Sequence, residues 1–288
     1  MPPTLSTLFP WLALCTAAAL LWPAATRRLA LAPLAAGYAW ALAQGALEPV
    51  ALLWPAFLLA AGLAVRAASA PPWGRAAGHA LFMALAAGLS LHALPGFHNL
   101  PAIVAARYTA DAVPFTMYLN LDKPLVAFWV VLALAPPMAG RNAAVTLGAA
   151  LGACAAAAVA CLGAALAMGL VGWAPKWPGQ GGLWLANNAL LVTLAEEALF
   201  RGYIQQQLSQ RWAHLRGGAA LAIGVAATLF GLAHMAGGIQ WVMLAGLAGL
   251  AYGVAYRYGG LAAAVLAHLG LNTLHYGLFT YPMRALAG

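Results

Sequence analysis

Apolar residues run through this chain in stretches of about twenty, interrupted by short clusters of proline, glycine and arginine. A helix rises 1.5 Å per residue, so about twenty apolar residues cover a hydrocarbon core of about 30 Å. Reading the runs against their punctuation predicts spans near 5–26, 29–46, 48–66, 76–94, 124–140, 143–172, 183–208, 217–236, 239–257 and 260–281. The fold class expected is all-α, a polytopic transmembrane helical bundle of roughly eight to ten spans. The second, third and fifth spans are short or carry proline (Pro33, Pro49, Pro55, Pro136, Pro137), so one of them is re-entrant or merged with a neighbour.

Composition supports the pattern. Hydrophobic residues make up 65% of the 288 and charged residues 6%, where a soluble domain carries about 25% charged residues. The net charge of +8 suggests a nucleic-acid footprint only until the basic residues are located. They stand singly between spans, so no nucleic-acid partner is expected and the charge reads as topology. With the N-terminus outside, Arg27, Arg28, Arg66, Arg75, Arg141, Arg211, Arg216 and Arg257 fall on the inner side, and Arg107, Lys123, Lys176 and Arg284 outside. No Lys or Arg precedes the first apolar run, which is therefore taken as a retained helix and not a signal peptide. Cys15, Cys154 and Cys161 all fall in spans and read as small hydrophobes. The segment 95–123, with His98, Arg107, Asp111, Asp122 and Lys123, is expected at the membrane interface, with a flap over an entrance as the sharper alternative. Gly148 with Gly152, and Gly249 with Gly253, read as helix–helix packing positions.

The costly residues lie in the last four helices. An ionisable side chain at membrane depth costs at least ~2.5–3.5 kcal/mol, so it is expected to be paired and to face the bundle interior. Glu197 and Arg201 are spaced to pair on one helical face. Glu196 points about 100° away and needs another partner, a proton or a water. Phe230 and His234 share a face of the next helix, and His268 and Asn272 share a face of the last. His275 reads as interfacial or structural. Together these are the parts of a hydrolytic site: Glu196 and His234 to deprotonate a water, His268 and Asn272 to donate to an oxyanion. No Ser or Cys joins them and no Gly-x-Ser-x-Gly is present, which disfavours an acyl-enzyme. A single divalent metal such as zinc on Glu196, His234 and His268 is the variant. It ranks second because His-Glu-x-x-His is absent.

The segments Glu196-Glu197-x-x-x-Arg201, Phe230-x-x-x-His234 and His268-x-x-x-Asn272, in this order, resemble the motifs of the CPBP family, which includes the type II CAAX prenyl endopeptidases and related bacteriocin-processing or self-immunity membrane proteins. The resemblance covers 183–281, and 1–173 are left as N-terminal transmembrane helices of unassigned role. It implies a membrane-embedded peptidase in which Glu196 and His234 activate water and His268 and Asn272 hold the oxyanion. Glu197 and Arg201 would then brace the helix or position substrate. The family has been described both as metalloproteases and as glutamate-dependent proteases, so the metal stays open. The partners implied are a membrane-associated protein or peptide substrate and the lipid bilayer. An alanine-rich, arginine-over-lysine composition suits a high-GC bacterium and hence a multi-pass bacterial inner-membrane protein, for which a prenylated substrate is the less expected version. Two other classes compete: a non-proteolytic binding or immunity protein on the same scaffold, and a proton-coupled transporter using Glu196 and the histidines as a relay.

Overall fold

The computed structural model describes residues 5–285. The chain is predominantly helical, as its hydrophobic pattern predicts, and its residues gather into two compact units. Among the described residues, the first comprises 5–101, 118–135 and 190–199, the second 102–117, 136–189 and 200–285.

In the first unit α1 (Leu5–Leu20) packs against α2 (Leu31–Ala43), and α3 (Leu53–Arg66) against α4 (Pro72–Ser90). The short helix α5 (Pro124–Trp129), continued by a π-helical turn (Val130–Leu134), lies against α3 and α4. Trp129 ties them together: its ring stacks on Phe82 at 3.7 Å, and its indole N–H donates to the Leu58 carbonyl at 2.7 Å. A buried indole needs such a partner, because an unmet donor costs about 1–3 kcal/mol. α9 (Thr193–Glu197) packs on α5.

In the second unit α6 (Ala143–Ala157) and α11 (Gly218–Leu232) pack along α12 (Ile239–Leu278). α6 runs on through a π turn (Ala158–Leu162) into α7 (Gly163–Ala167). The two expected spans 239–257 and 260–281 form one helical run, broken at Gly260. There φ is 68° and ψ −169°, a backbone region essentially reserved for glycine. The break leaves the amides of Leu261 and Ala262 without helical acceptors, and the carbonyls of Pro137 and Met138 take them, each at 2.8 Å. Expectation and structure differ over Gly148 and Gly152, which face open space, whereas Gly249 and Gly253 lie against Ala227 and Ile223 of α11 as helix-packing positions should.

The 95–123 segment holds a feature outside an all-helical reading: β1 (Leu100–Ala106) and β2 (Phe115–Leu119) pair in a two-stranded sheet. In the second unit the turn between them docks on the chain's end. Val113 N–H donates to Met283 O at 3.0 Å, and Asp111 accepts from Arg284 at 3.0 Å and from the Thr280 hydroxyl at 3.1 Å. Hydrogen bonds from Thr109, Arg284 and Thr280 hold the Asp111 carboxyl below its ordinary range. Residues 170–174 also bond to 278–284.

Leu59, Leu63, Leu151, Val159 and Met243 are all more than 60% exposed. So many bare apolar side chains would be an aggregation surface in water. They lie on Pro49–Arg66, Ala143–Ala167 and Ile239–Leu278, the helices among the described residues that are long and apolar enough to cross a membrane.

Candidate active site

The helical run that carries the two glutamates changes geometry repeatedly: α8 (Gly181–Asn187), a π turn (Asn188–Val192), α9, a longer π stretch (Ala198–Gln205) and α10 (Gln206–Arg211). π insertions sit disproportionately at functional sites, because they re-aim the side chains around them. Here they bracket Glu196 and Glu197 on both sides. Residues 190–199 belong to the first unit and the flanks to the second.

In the first unit Glu196 is paired. The Lys123 ammonium, at the N-terminus of α5, donates to Glu196 Oε1 at 2.5 Å, with both side chains 15% exposed. The sequence pattern leaves Lys123 among the loop charges and offers Glu196 no cation on its own helical face. The two are 73 residues apart, and no local pattern links them. Glu197 is fully buried.

The second unit gathers the other motif residues. A cavity there is lined by His234, His268, Asn272 and His275 with Phe230, Trp241 and Tyr252, and otherwise by small and aliphatic side chains of the π turn at Ala158–Leu162, of α7 and the residues just after it, and of α12. Phe230, 2% exposed, is the hub. Its ring meets Phe200 at 5.1 Å, His234 at 4.7 Å and His268 at 5.7 Å. Arg201 is fully buried, with its guanidinium over the Phe230 ring at 4.5 Å and a hydrogen bond to Gly249 O at 3.0 Å. The missing side chain at Gly249 makes room for that guanidinium, since a Cβ there would stand 3.2 Å from Arg201 Nη2. One turn on, Gln205 donates to Gly253 O at 2.9 Å in the same manner.

His234 follows the end of α11, and its Nδ1 lies 2.8 Å from Phe230 O. A carbonyl only accepts, so Nδ1 carries the hydrogen and the neutral ring has its lone pair on Nε2. That tautomer is the one a base or a metal ligand needs. His268, 5% exposed, lies flat against Tyr252 with ring centroids 4.6 Å apart. Asn272 Nδ2 donates to Asn188 Oδ1 at 3.2 Å, and Asn188 in turn donates to Trp184 O at 3.2 Å.

Tyr252, Asn188 and His275 were not singled out as site residues by their spacing. His275, seven residues beyond His268, lines the cavity beside Trp241 instead of standing apart from it. A helical repeat of two turns was the available signal. Among the described residues, no group of three His, Cys, Asp or Glu side chains is placed to hold a metal ion.

Residues 178–274 match the family model described as Type II CAAX prenyl endopeptidase Rce1-like. The match covers about a third of the chain, takes in all three motif segments and stops just before His275. No curated protein and no solved structure matches the chain at a significant level.

Proposed function

From the premise that residues 178–274 are an Rce1-like domain of the CAAX protease family, we propose that this chain is an intramembrane endopeptidase that cuts a membrane-associated protein or precursor peptide with a water activated by Glu196 and His234. The observation that carries the reading is the state of His234: its Nδ1 is committed to Phe230 O, in the same cavity wall that presents His268 and Asn272.

Glu196 and His234 take a proton from water as its oxygen attacks the scissile carbonyl carbon. The carbonyl π electrons move to oxygen, and N–H groups of His268 and Asn272 donate to the oxyanion. Asn272 has two amide hydrogens, and the one not committed to Asn188 is assigned this role. When the tetrahedral intermediate collapses, the C–N bond breaks and the proton passes to the leaving amine. Arg201 holds Phe230 and, through Tyr252, the wall on which His268 rests. The substrate enters from the bilayer, and the chain is assigned to a bacterial inner membrane as a multi-pass protein.

The test is cleavage of an internally quenched, lipid-anchored peptide by purified protein in proteoliposomes. Glu196→Ala, His234→Ala and His268→Ala should each reduce turnover by about 10²–10⁴-fold, the span of a lost acid–base or oxyanion group. Retained cleavage in all three variants would sink the proposal. Full function of Glu196→Gln in cells would favour a binding or immunity role. Comparing membrane-protein termini between wild-type and Glu196→Ala cells identifies the natural substrate, and elemental analysis of the intact protein decides between a glutamate-type and a metal-dependent enzyme.

A further inference from the structure

Lys123 stands outside every motif discussed above, and outside the residues matched by the family model. Its ammonium nevertheless meets the carboxylate on which the proposed reaction turns, at 2.5 Å, in a part-buried setting. A long lysine side chain loses rotamer entropy when it is fixed, so isolated exposed pairs of this kind achieve little. This pair is neither isolated nor exposed. Lys123 directly precedes Pro124, the first residue of α5. Its backbone N–H donates to Asp122 Oδ1 at 2.8 Å. Asp122 is 1% exposed, with His92 Nδ1 at 2.7 Å and Asn99 Nδ2 at 3.2 Å from its carboxylate. Asn99 Oδ1 accepts the Leu121 N–H at 2.8 Å, and the Tyr38 hydroxyl on α2 donates to the Leu121 carbonyl. Three side chains of the first unit, Tyr38 on α2 and His92 and Asn99 in the connection between α4 and β1, therefore hold the turn from which Lys123 reaches Glu196.

We infer that Lys123 is a positioning residue: it fixes the direction in which the Glu196 carboxylate meets the reacting water. The inference rests on the reading of Glu196 as the group that activates that water. General acid–base transfer demands hydrogen-bond geometry between base and water, and a misplacement of about 1 Å can cost 10²-fold in rate. An ion pair that served only to hold α5 and α9 together would leave the rate of the folded enzyme alone. One that aims the carboxylate would lower kcat and spare substrate binding.

The experiment uses the full-length protein in proteoliposomes with the quenched lipid-anchored peptide. Lys123→Met should lower kcat by about 10–100-fold with KM within about twofold, and Lys123→Arg, which keeps a cation and donors at that point, should recover most of the loss. Unfolding temperatures are recorded in parallel. If Lys123→Met does not fold, the comparison of Lys123→Arg with Lys123→Gln carries the test, since glutamine keeps the donor and removes the charge. Wild-type kcat in a folded Lys123→Met or Lys123→Gln, alongside an inactive Glu196→Gln, overturns the positioning role and leaves the reading of Glu196 standing. Undiminished cleavage by Glu196→Gln overturns that reading, and the inference with it.

Discussion

At the scale of single residues, Arg201 shows how this molecule handles a charge in an apolar interior. Its guanidinium is fully buried, lies over Phe230 at 4.5 Å and near Tyr252 at 5.3 Å, and donates to Gly249 O. A planar, weakly hydrated cation suits stacking of this kind, and a compact ammonium does not. Arg201→Lys keeps the charge and forfeits the stacking and the forked donor. The expected cost is roughly 2–4 kcal/mol, combining a desolvated cation–π contact with a charged hydrogen bond. A thermal unfolding midpoint within a degree of wild type would show that stacking contributes nothing. The candidate site residues divide by how their neighbours are arranged along the chain. Phe230 with His234, and His268 with Asn272, could be read from the sequence because helical spacing alone puts each pair on one face. Lys123 could not, because its link to Glu196 exists only after α5 and α9 have packed. Tyr252 was hidden for a different reason: a tyrosine in an apolar helix looks like filler until a histidine is found stacked on it.

At the scale of elements, glycine separates positions that the sequence pattern treats alike. Gly260 has a φ of 68° and a backbone neighbour, Ala139 N, only 2.6 Å from where a Cβ would stand. Gly148, in α6, has nothing within 4 Å. Gly260→Ala should therefore destabilise by more than the ~1–3 kcal/mol of a strained backbone, since the clash with the 138–139 backbone adds to it. Gly148→Ala should be neutral or stabilise by up to ~1 kcal/mol, the ordinary gain from replacing glycine inside a helix. Chemical or thermal unfolding of the two variants side by side checks both, and equal effects would refute the assigned roles. The expected spans 239–257 and 260–281, separated by Pro, Gly and charge punctuation, meet where the structure breaks the helix at Gly260. The strand pair in 95–123 was not anticipated. Its alternation is weak, and what fixes it is the docking of its turn on 280–285, a contact with residues at the far end of the chain.

At the scale of the whole molecule, the pattern of exposure argues for lipid as the solvent. Ala143–Ala167 is long and apolar enough to cross a membrane, yet Leu147, Leu151 and Val159 on it are 52%, 61% and 79% exposed. The hydrophobic count alone could not say which residues these would be, since a buried leucine and a lipid-facing one are the same letter. Substitution tells them apart. Leu151→Arg puts a guanidinium near the middle of that helix, where insertion carries a penalty of about 2.5–3.5 kcal/mol on the translocon scale. Leu5, 80% exposed at the first turn of α1, has a helix end within reach, so an arginine there can snorkel to the headgroups at little cost. The expected result is a lower membrane-integrated fraction for Leu151→Arg after alkaline carbonate extraction, and an unchanged fraction for Leu5→Arg. Should Leu151→Arg integrate and unfold like the wild type, that face of α6 does not meet hydrocarbon. The proposed entry of substrate from the bilayer would then lose its support as well, because Cys161, Leu162 and Ala165, on the continuation of α6 through the π turn into α7, line the cavity.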